Sequence, residues 1–322
     1  MRVLCVGMMV YDTLLSPVPA DILKRDSAGI RPPVVSCGGD ALNVALGLAR
    51  LGEHPFVAGR RGMDERGDFI ERICEEAGVD TCYIKLDRQY PTAVTYALVD
   101  ESGERHFLSE KSIFHRLSGE DIPDEAIEKA DLVYFGSAMA MKAMDREGIF
   151  QLFSRAHRKG KMTVMDAAVD WEDPDQEWMK ILDTAFLETD IFFPSLEEAV
   201  KLTGEKEPEK IKEHFRKYGM KLFGIKLGAK GCFVTDFASD NYISCPQGLP
   251  VVDTTGAGDS FMAGLICAVG KGWDVYDSAG FASCVAAKNI GVCGGSAGVP
   301  GFEEAYTFYQ GYKNNLYKRK RG

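Results

Sequence analysis

Short apolar runs alternate with longer amphipathic stretches along nearly the whole chain, and this rhythm restricts the fold more than any single residue does. Candidate strands fall at 2–10, 55–60, 131–136, 161–166, 190–194, 221–227 and 231–236. Helical periodicity falls at 40–51, 66–77, 144–159, 195–203, 207–218, 257–270, 274–290 and 302–317. Runs such as Leu132-Val133-Tyr134-Phe135 are apolar on both faces, as a strand covered on both sides must be. The alternation predicts an α/β fold, with a mainly parallel central sheet and helices packed on both of its faces. The length allows one large domain or two ordinary ones. No internal repeat or low-complexity linker divides the chain, so residues 1–322 are expected to form one unit.

Two segments break the rhythm. Residues 80–110 hold consecutive extended runs, among them Ala93-Val94-Thr95-Tyr96-Ala97-Leu98-Val99. This run enters a turn at Asp100-Glu101-Ser102-Gly103 and continues as Arg105-His106-Phe107-Leu108, which reads as a β-hairpin. Residues 13–37 are also extended and carry Pro17, Pro19, Pro32 and Pro33. The segments 13–37 and 80–115 are expected to supply a small second sheet standing off the main layer as a lid. The alternative is that they extend the main sheet as antiparallel edge strands.

Apolar residues make up 45% of the chain, enough for a large buried core. The net charge of −10, from 38 Lys and Arg against 48 Asp and Glu, argues against a nucleic-acid-binding surface. The basic run Lys318-Arg319-Lys320-Arg321 reads as a solvated helix C-terminus or, alternatively, as a localisation or anion-binding tail. Nine cysteines are scattered without a Cys-x-x-Cys pair, and Cys5, Cys267 and Cys284 sit in apolar stretches. Such thiols pack as small hydrophobes, which suits a reducing compartment better than a disulfide framework. Arg2 precedes only a short apolar run, not a signal peptide, and no run approaches the ~20 apolar residues of a membrane span. A soluble, cytoplasmic protein is expected.

Residues 253–260 read Asp-Thr-Thr-Gly-Ala-Gly-Asp-Ser and lead into a helical pattern through Phe261, Leu265, Ala268 and Val269. A glycine-rich turn that opens a helix leaves backbone N–H groups unpaired, and the helix dipole adds positive charge there. Such a turn suits a phosphate or a developing anion. Asp259 would repel a bound phosphate, but its presence is explained if it takes a proton from a hydroxyl that attacks phosphorus. The alternative is an ordinary strand–turn–helix elbow with an acidic N-cap.

Residues 38–52 read Gly-Gly-Asp-Ala-Leu-Asn-Val-Ala-Leu-Gly-Leu-Ala-Arg-Leu-Gly. Asp40 is expected as N-cap, Leu42, Ala45, Leu46 and Ala49 form the stripe, and Gly52 is the stop. Gly38 and Gly39 permit close approach of a ligand, and Asn43 offers both a donor and an acceptor for sugar hydroxyls. The alternative for the segment read by itself is a capped core helix.

The two segments together resemble the signatures of the ribokinase-like (PfkB) carbohydrate kinases, and the resemblance extends over nearly the whole chain. Gly59-Arg60-Arg61-Gly62-Met63-Asp64-Glu65-Arg66-Gly67 is similar to that family's Gly-x-x-Gly-x-Asp-x-x-Gly segment. Lys226-Leu227-Gly228-Ala229-Lys230-Gly231 is similar to its nucleotide-side turn.

The resemblance implies an ATP-dependent sugar kinase with Asp259 as general base and the N–H groups of Gly256, Ala257 and Gly258 as an anion hole. It implies sugar-hydroxyl contacts from Asp12, Gly39 and Asn43, although Asp12 also fits a plain turn residue. It places Lys226, Gly228 and Gly231 on the ATP side, with Ser283 near the adenine. Glu198 matches the acid that organises water around Mg²⁺, or is a favourable helix-dipole partner. A monovalent-cation site, for K⁺, is implied at Asp253 and the main-chain carbonyls around Thr255 and 292–298. Mg²⁺ follows from the need to neutralise the transferring phosphoryl group.

The chain departs from the family pattern at three places. Ser195 replaces the usual Asn of Asn-x-x-Glu, Ser283 stands where many relatives have Asn, and Asp166-Ala167-Ala168-Val169-Asp170 lacks the Arg of several sugar-acid kinases. Arg105, His106, Lys111 and His115 cluster in or after the hairpin, where a cation, Arg105 first, meets a sugar carboxylate or is merely solvated. A P-loop is absent, and Gly7-Met8-Met9-Val10 is not a dinucleotide fingerprint. The alternatives are a non-catalytic sugar- or nucleotide-binding relative and a nucleoside kinase of the same family. A lid edge also suits a homodimer.

Overall fold

The structure, a computed structural model, describes residues 1–101, 104–169 and 176–316. Ser102 and Gly103 of the expected hairpin turn, Asp170 and the basic run Lys318 to Arg321 lie outside the described residues. In chain order the strands are β1 (Arg2–Val6), β2 (Val10–Leu15), β3 (Val34–Gly38), β4 (His54–Gly62), β5 (Asp80–Asp87), β6 (Val94–Val99) and β7 (Arg105–Glu110). They continue as β8 (Leu132–Ala138), β9 (Met162–Ala167), β10 (Ile191–Phe192), β11 (Leu222–Lys226), β12 (Cys232–Thr235) and β13 (Asp240–Ile243).

Nine of these strands form one sheet in the order β13-β12-β11-β10-β9-β8-β1-β4-β5, and four form another in the order β3-β2-β6-β7. From β5 to β11 every pairing in the large sheet is parallel; β12 and β13 add an antiparallel margin. Burial alternates along the central strands with the period of two that a sheet imposes. Val3, Cys5, Val57 and Tyr134 face one apolar cluster, whereas Leu4, Val6, Phe56 and Phe135 face the other. The first cluster is covered by Asp40–Arg50, Ala257–Gly270, Val275–Asn289 and Phe302–Leu316, and the second by Ile149–Arg158 and Pro208–Phe215. This is the doubly covered α/β layer that the alternation predicts. No helix among the described residues is long and apolar enough to cross a membrane.

Several expectations are corrected. The run 2–10 is two strands, because the Met8 N–H leaves the ladder to donate to Ser137 Oγ (2.9 Å) and Asp40 Oδ1 (3.2 Å). The chain thereby passes from β1 in the large sheet to β2 in the small one. The segment 80–115 is divided likewise: β5 pairs with β4 at the edge of the large sheet, and only β6 and β7 join the small sheet. Within 13–37 only the ends are strand, with a short 3-10 turn at Ile22–Lys24 between them. The four small-sheet strands pair with each other and do not extend the large sheet as antiparallel edge strands. Helices Asp124–Lys129, Trp178–Ile181 and Asp183–Leu187 and strand β13 were not anticipated; each is too short to show a period.

Candidate active site

Gly39, not Asp40, is the N-cap of Asp40–Arg50. Asp40 is instead the first helical residue, and its Oδ1 accepts from Ser137 Oγ (2.6 Å) and the Ala41 N–H (2.6 Å) while Oδ2 is buried without a partner. Burial pushes the Asp40 carboxyl up to about 7, with the Asp259 charge adding to the rise. Asn43, one turn later, donates from Nδ2 to Asp259 Oδ2 at 2.8 Å. This hydrogen bond joins the two glycine-rich segments.

Asp259 lies in the first turn of Ala257–Gly270, whose N-cap is Gly256 in the left-handed region (φ 69°). A side chain at Gly256 would put its Cβ 1.8 Å from the Gly295 carbonyl oxygen, so the turn demands glycine on both steric and conformational grounds. Asp259 is therefore not an N-cap, contrary to the plain-elbow alternative. The Ala257 N–H, expected in the anion hole, instead donates to Thr254 O (3.2 Å), and the Ser260 N–H donates to Gly256 O (2.8 Å), which leaves the Gly258 and Asp259 amides as the open donors of the first turn. Burial raises the Asp259 carboxyl; Asn43 and Lys226 pull it down and Glu198 pushes it further up.

Lys226, at the end of β11, donates to Asp166 Oδ2, a pairing that the sequence did not reveal. A Cβ at Gly258 would lie 3.4 Å from the Lys226 ammonium, so this cation stands beside the anion turn. Burial opposes the charge on Lys226, but Asp166, Glu198 and Asp259 together raise it and keep it protonated. Glu198 forms a capping box with Ser195, accepting from Ser195 N (2.6 Å) while its own N–H reaches Ser195 Oγ (3.3 Å). Both readings of Glu198, helix partner and acid near the phosphate turn, are thus compatible with its position. Among the described residues no cluster of three or more His, Cys, Asp or Glu is placed to hold a metal ion.

Two cavities flank this centre. One of about 310 Å³ is lined by Lys226, Gly228, Gly231, Ala257, Gly258 and Ser283. Ser283 turns its hydroxyl back to Ala279 O (3.0 Å), so it lines the cavity as part of a buried helix face. The other, of about 280 Å³, is lined by Asp12, Gly39, Thr95, Ser109, Lys111 and Phe114. Gly38 pairs with Val10 across β2 and β3, and a Cβ on it would fall 1.9 Å from the Oδ2 of the diagonal neighbour Asp12. Burial pushes the Asp12 carboxyl up to about 7.

Arg105 lines a third cavity, of about 440 Å³, which shares Asp12 and Thr95 with the second and adds Asp253 and Thr255. Its Nη1 donates to Asp253 Oδ1 and to Thr255 Oγ1, each at 2.7 Å. His106 and His115 are exposed. Asp253 also accepts from Thr255 N (2.8 Å) and Gly294 N (3.0 Å). Burial would raise its carboxyl, but these donors hold it well below the usual carboxylate range.

Asp259, held by Asn43, thus follows directly on Ala257 and Gly258, which line a cavity together with Lys226, and all of them stand on a doubly covered α/β scaffold. The chain belongs to the pfkB family of carbohydrate kinases, phosphotransferases with an alcohol group as acceptor; the family model matches residues 2–300. It is 30% identical over 275 residues to the 2-dehydro-3-deoxygluconokinase of Bacillus subtilis (strain 168), covering 83% of this chain and 84% of that one. It is 28% identical over 265 residues to the aminoimidazole riboside kinase of Salmonella typhimurium, covering 81% of each. The fold is similar to a fructokinase with bound ATP from Xylella fastidiosa, with a TM-score of 0.84 at 21% identity over 97% of this chain and 99% of that one.

Proposed function

We propose that this carbohydrate kinase transfers the γ-phosphate of ATP to a hydroxyl of a sugar or sugar acid, with Asp259 as the general base. The observation that carries this is the Asn43–Asp259 hydrogen bond: it fixes the carboxylate where the segment lining one cavity meets the helix N-terminus lining the other. In the step itself the Asp259 carboxylate takes the proton of the attacking hydroxyl. The new O–P bond forms as the bond from the γ-phosphorus to its bridging oxygen breaks, and ADP leaves.

The Gly258 and Asp259 amides and the Lys226 ammonium would face the charge that spreads over the transferring oxygens. Asp166 holds Lys226 in place. Mg²⁺ bound with the nucleotide would neutralise phosphate charge, and Glu198 and Asp166 are the acids beside the turn that could hold its waters. The solved relatives include a putative ribokinase II from E. coli in complex with ATP and Mg²⁺, which supports this choice of co-substrate and ion.

The acceptor hydroxyls would be held by Asp12, Gly39 and Asn43, under a lid formed by the small sheet. A sugar acid is favoured by the similarity to the Bacillus subtilis sugar-acid kinase and by Lys111 in the cavity wall beside Asp12. Closure would exclude water and limit ATP hydrolysis. Phe107 and Leu108 of the edge strand β7 are 59% and 61% exposed, which supports a homodimer through the small sheet. A cytoplasmic location agrees with nine free thiols.

The deciding experiment is an ADP-release screen with ATP and Mg²⁺ against hexoses, pentoses, sugar acids and nucleosides. Sugar-dependent ADP release is expected, most strongly with a sugar acid. ATP binding with no release on any acceptor would favour a non-catalytic role, and a nucleoside-only response would redefine the substrate class.

A further inference from the structure

Asp253 and Thr255 were expected to help hold a monovalent cation. The residues present do not fit one. Asp253 is 5% exposed, and what faces it is a set of donors: the Arg105 guanidinium, the Thr255 and Gly294 amides and the Cys293 thiol. A hard cation needs converging oxygens, not N–H groups. Two carbonyls of the neighbouring loop are also turned into its own structure. Gly295 O accepts from Asn289 Nδ2 (2.9 Å), and Ser296 O accepts from the Val299 N–H (3.2 Å). Thr255 Oγ1, the side-chain oxygen nearest Asp253, is also taken by Arg105.

A buried carboxylate requires a positive partner, and a guanidinium meets that requirement as well as a dissolved ion does. Here the partner comes from β7 of the small sheet, 148 residues earlier in the chain. The Asp253–Thr255 segment runs directly into the Gly256 turn at the N-terminus of the helix that carries Asp259. Resting on the kinase reading of that turn, we propose that Arg105 is a built-in replacement for the monovalent cation. Its guanidinium holds the phosphate-binding turn from the small sheet, and phosphoryl transfer does not depend on K⁺. Arg105 is thus a positioning residue. The turn is fully braced only when the small sheet is seated on it.

The test uses the full chain. Turnover of the wild type is measured in potassium, sodium and tetramethylammonium chloride at equal ionic strength, and rates equal within about twofold are expected once general screening is matched. The thermal midpoint is followed in the same salts and is expected not to rise in potassium, since a specific ion that binds the folded state would raise it. Arg105→Met is expected to lose turnover by about tenfold or more, as loss of one charged hydrogen bond predicts, and to recover part of it with added K⁺ or millimolar guanidinium. Arg105→Lys should retain more activity than Arg105→Met.

Several-fold stimulation of the wild type by K⁺, or a potassium-specific rise in its thermal midpoint, would overturn the proposal. So would an Arg105→Met variant whose only defect is a raised KM for carboxylated sugars. If no acceptor is phosphorylated in any salt, it is the kinase reading that fails. The thermal series then still decides whether the site takes an ion, including when Arg105→Met does not fold.

Discussion

Asn43 donates its amide hydrogen to the Oδ2 atom of Asp259 at 2.8 Å across 216 residues of sequence. Both side chains sit in the first turn of a helix, and each helix follows a glycine-rich segment. A hydrogen bond to a charged group is worth about 1.5–3 kcal/mol. Asn43→Ala should therefore lower kcat by roughly 10- to 150-fold, measured at saturating sugar and ATP. An unchanged kcat would show that Asp259 is positioned by something else.

Asp259→Asn keeps the size and most of the polarity of the side chain but cannot accept the hydroxyl proton. A fall in kcat of roughly 10²–10⁴-fold is expected, the span of a lost general base. Sugar binding, measured calorimetrically, should change little. Near-normal turnover would sink the proposed mechanism.

The pH dependence follows from the charges around Asp259. A base acts only when deprotonated, and burial raises this carboxyl above the ordinary range. The kcat of the wild type should therefore fall as pH drops, through a limb lying above the usual carboxylate titration. Glu198 pushes the carboxyl up and Lys226 pulls it down. Glu198→Gln should accordingly move the acid limb to lower pH, and Lys226→Met should move it higher. A kcat–pH series on the three proteins checks both signs.

Gly38→Ala would bring a methyl group to 1.9 Å from Asp12 Oδ2, so one of the two must move. The expected result is a raised KM for the sugar with the KM for ATP unchanged. Equal changes in both constants would mean that Asp12 does not face the acceptor.

Gly256→Ala forces a left-handed backbone on alanine and drives its Cβ into the Gly295 carbonyl. The conformational strain alone costs about 1–3 kcal/mol. Thermal unfolding should show the loss of stability, and kcat should fall with it as the amide turn is displaced. A stable variant with normal kcat would remove the turn from the mechanism.

Much of the fold was legible in the chain. Wherever a helix or strand is long enough to repeat its period several times, the sequence located it: Asp40–Arg50, Glu65–Glu76, Ala257–Gly270 and Val275–Asn289 lie within a residue or two of expectation. Short elements carry no period, which is why Trp178–Ile181 and Asp183–Leu187 were invisible. The division of 2–10 and 80–115 between two sheets was also hidden. An extended segment looks alike whichever sheet it joins, and the switch at Met8 depends on Ser137 and Asp40.

The site divides in the same way. The sequence by itself determined the family, the two glycine-rich segments and the carboxylate Asp259, because glycine spacing and helix starts are local properties of the backbone. Only the tertiary structure decided that Asn43 holds Asp259, that Asp166 pairs with Lys226, and that Arg105 lies on Asp253 and Thr255. Each of these pairings joins residues at least 60 apart in the chain. Partners so distant are chosen by how the layers pack and by the need of each buried charge for a counter-charge, and neither is written in any local run of residues.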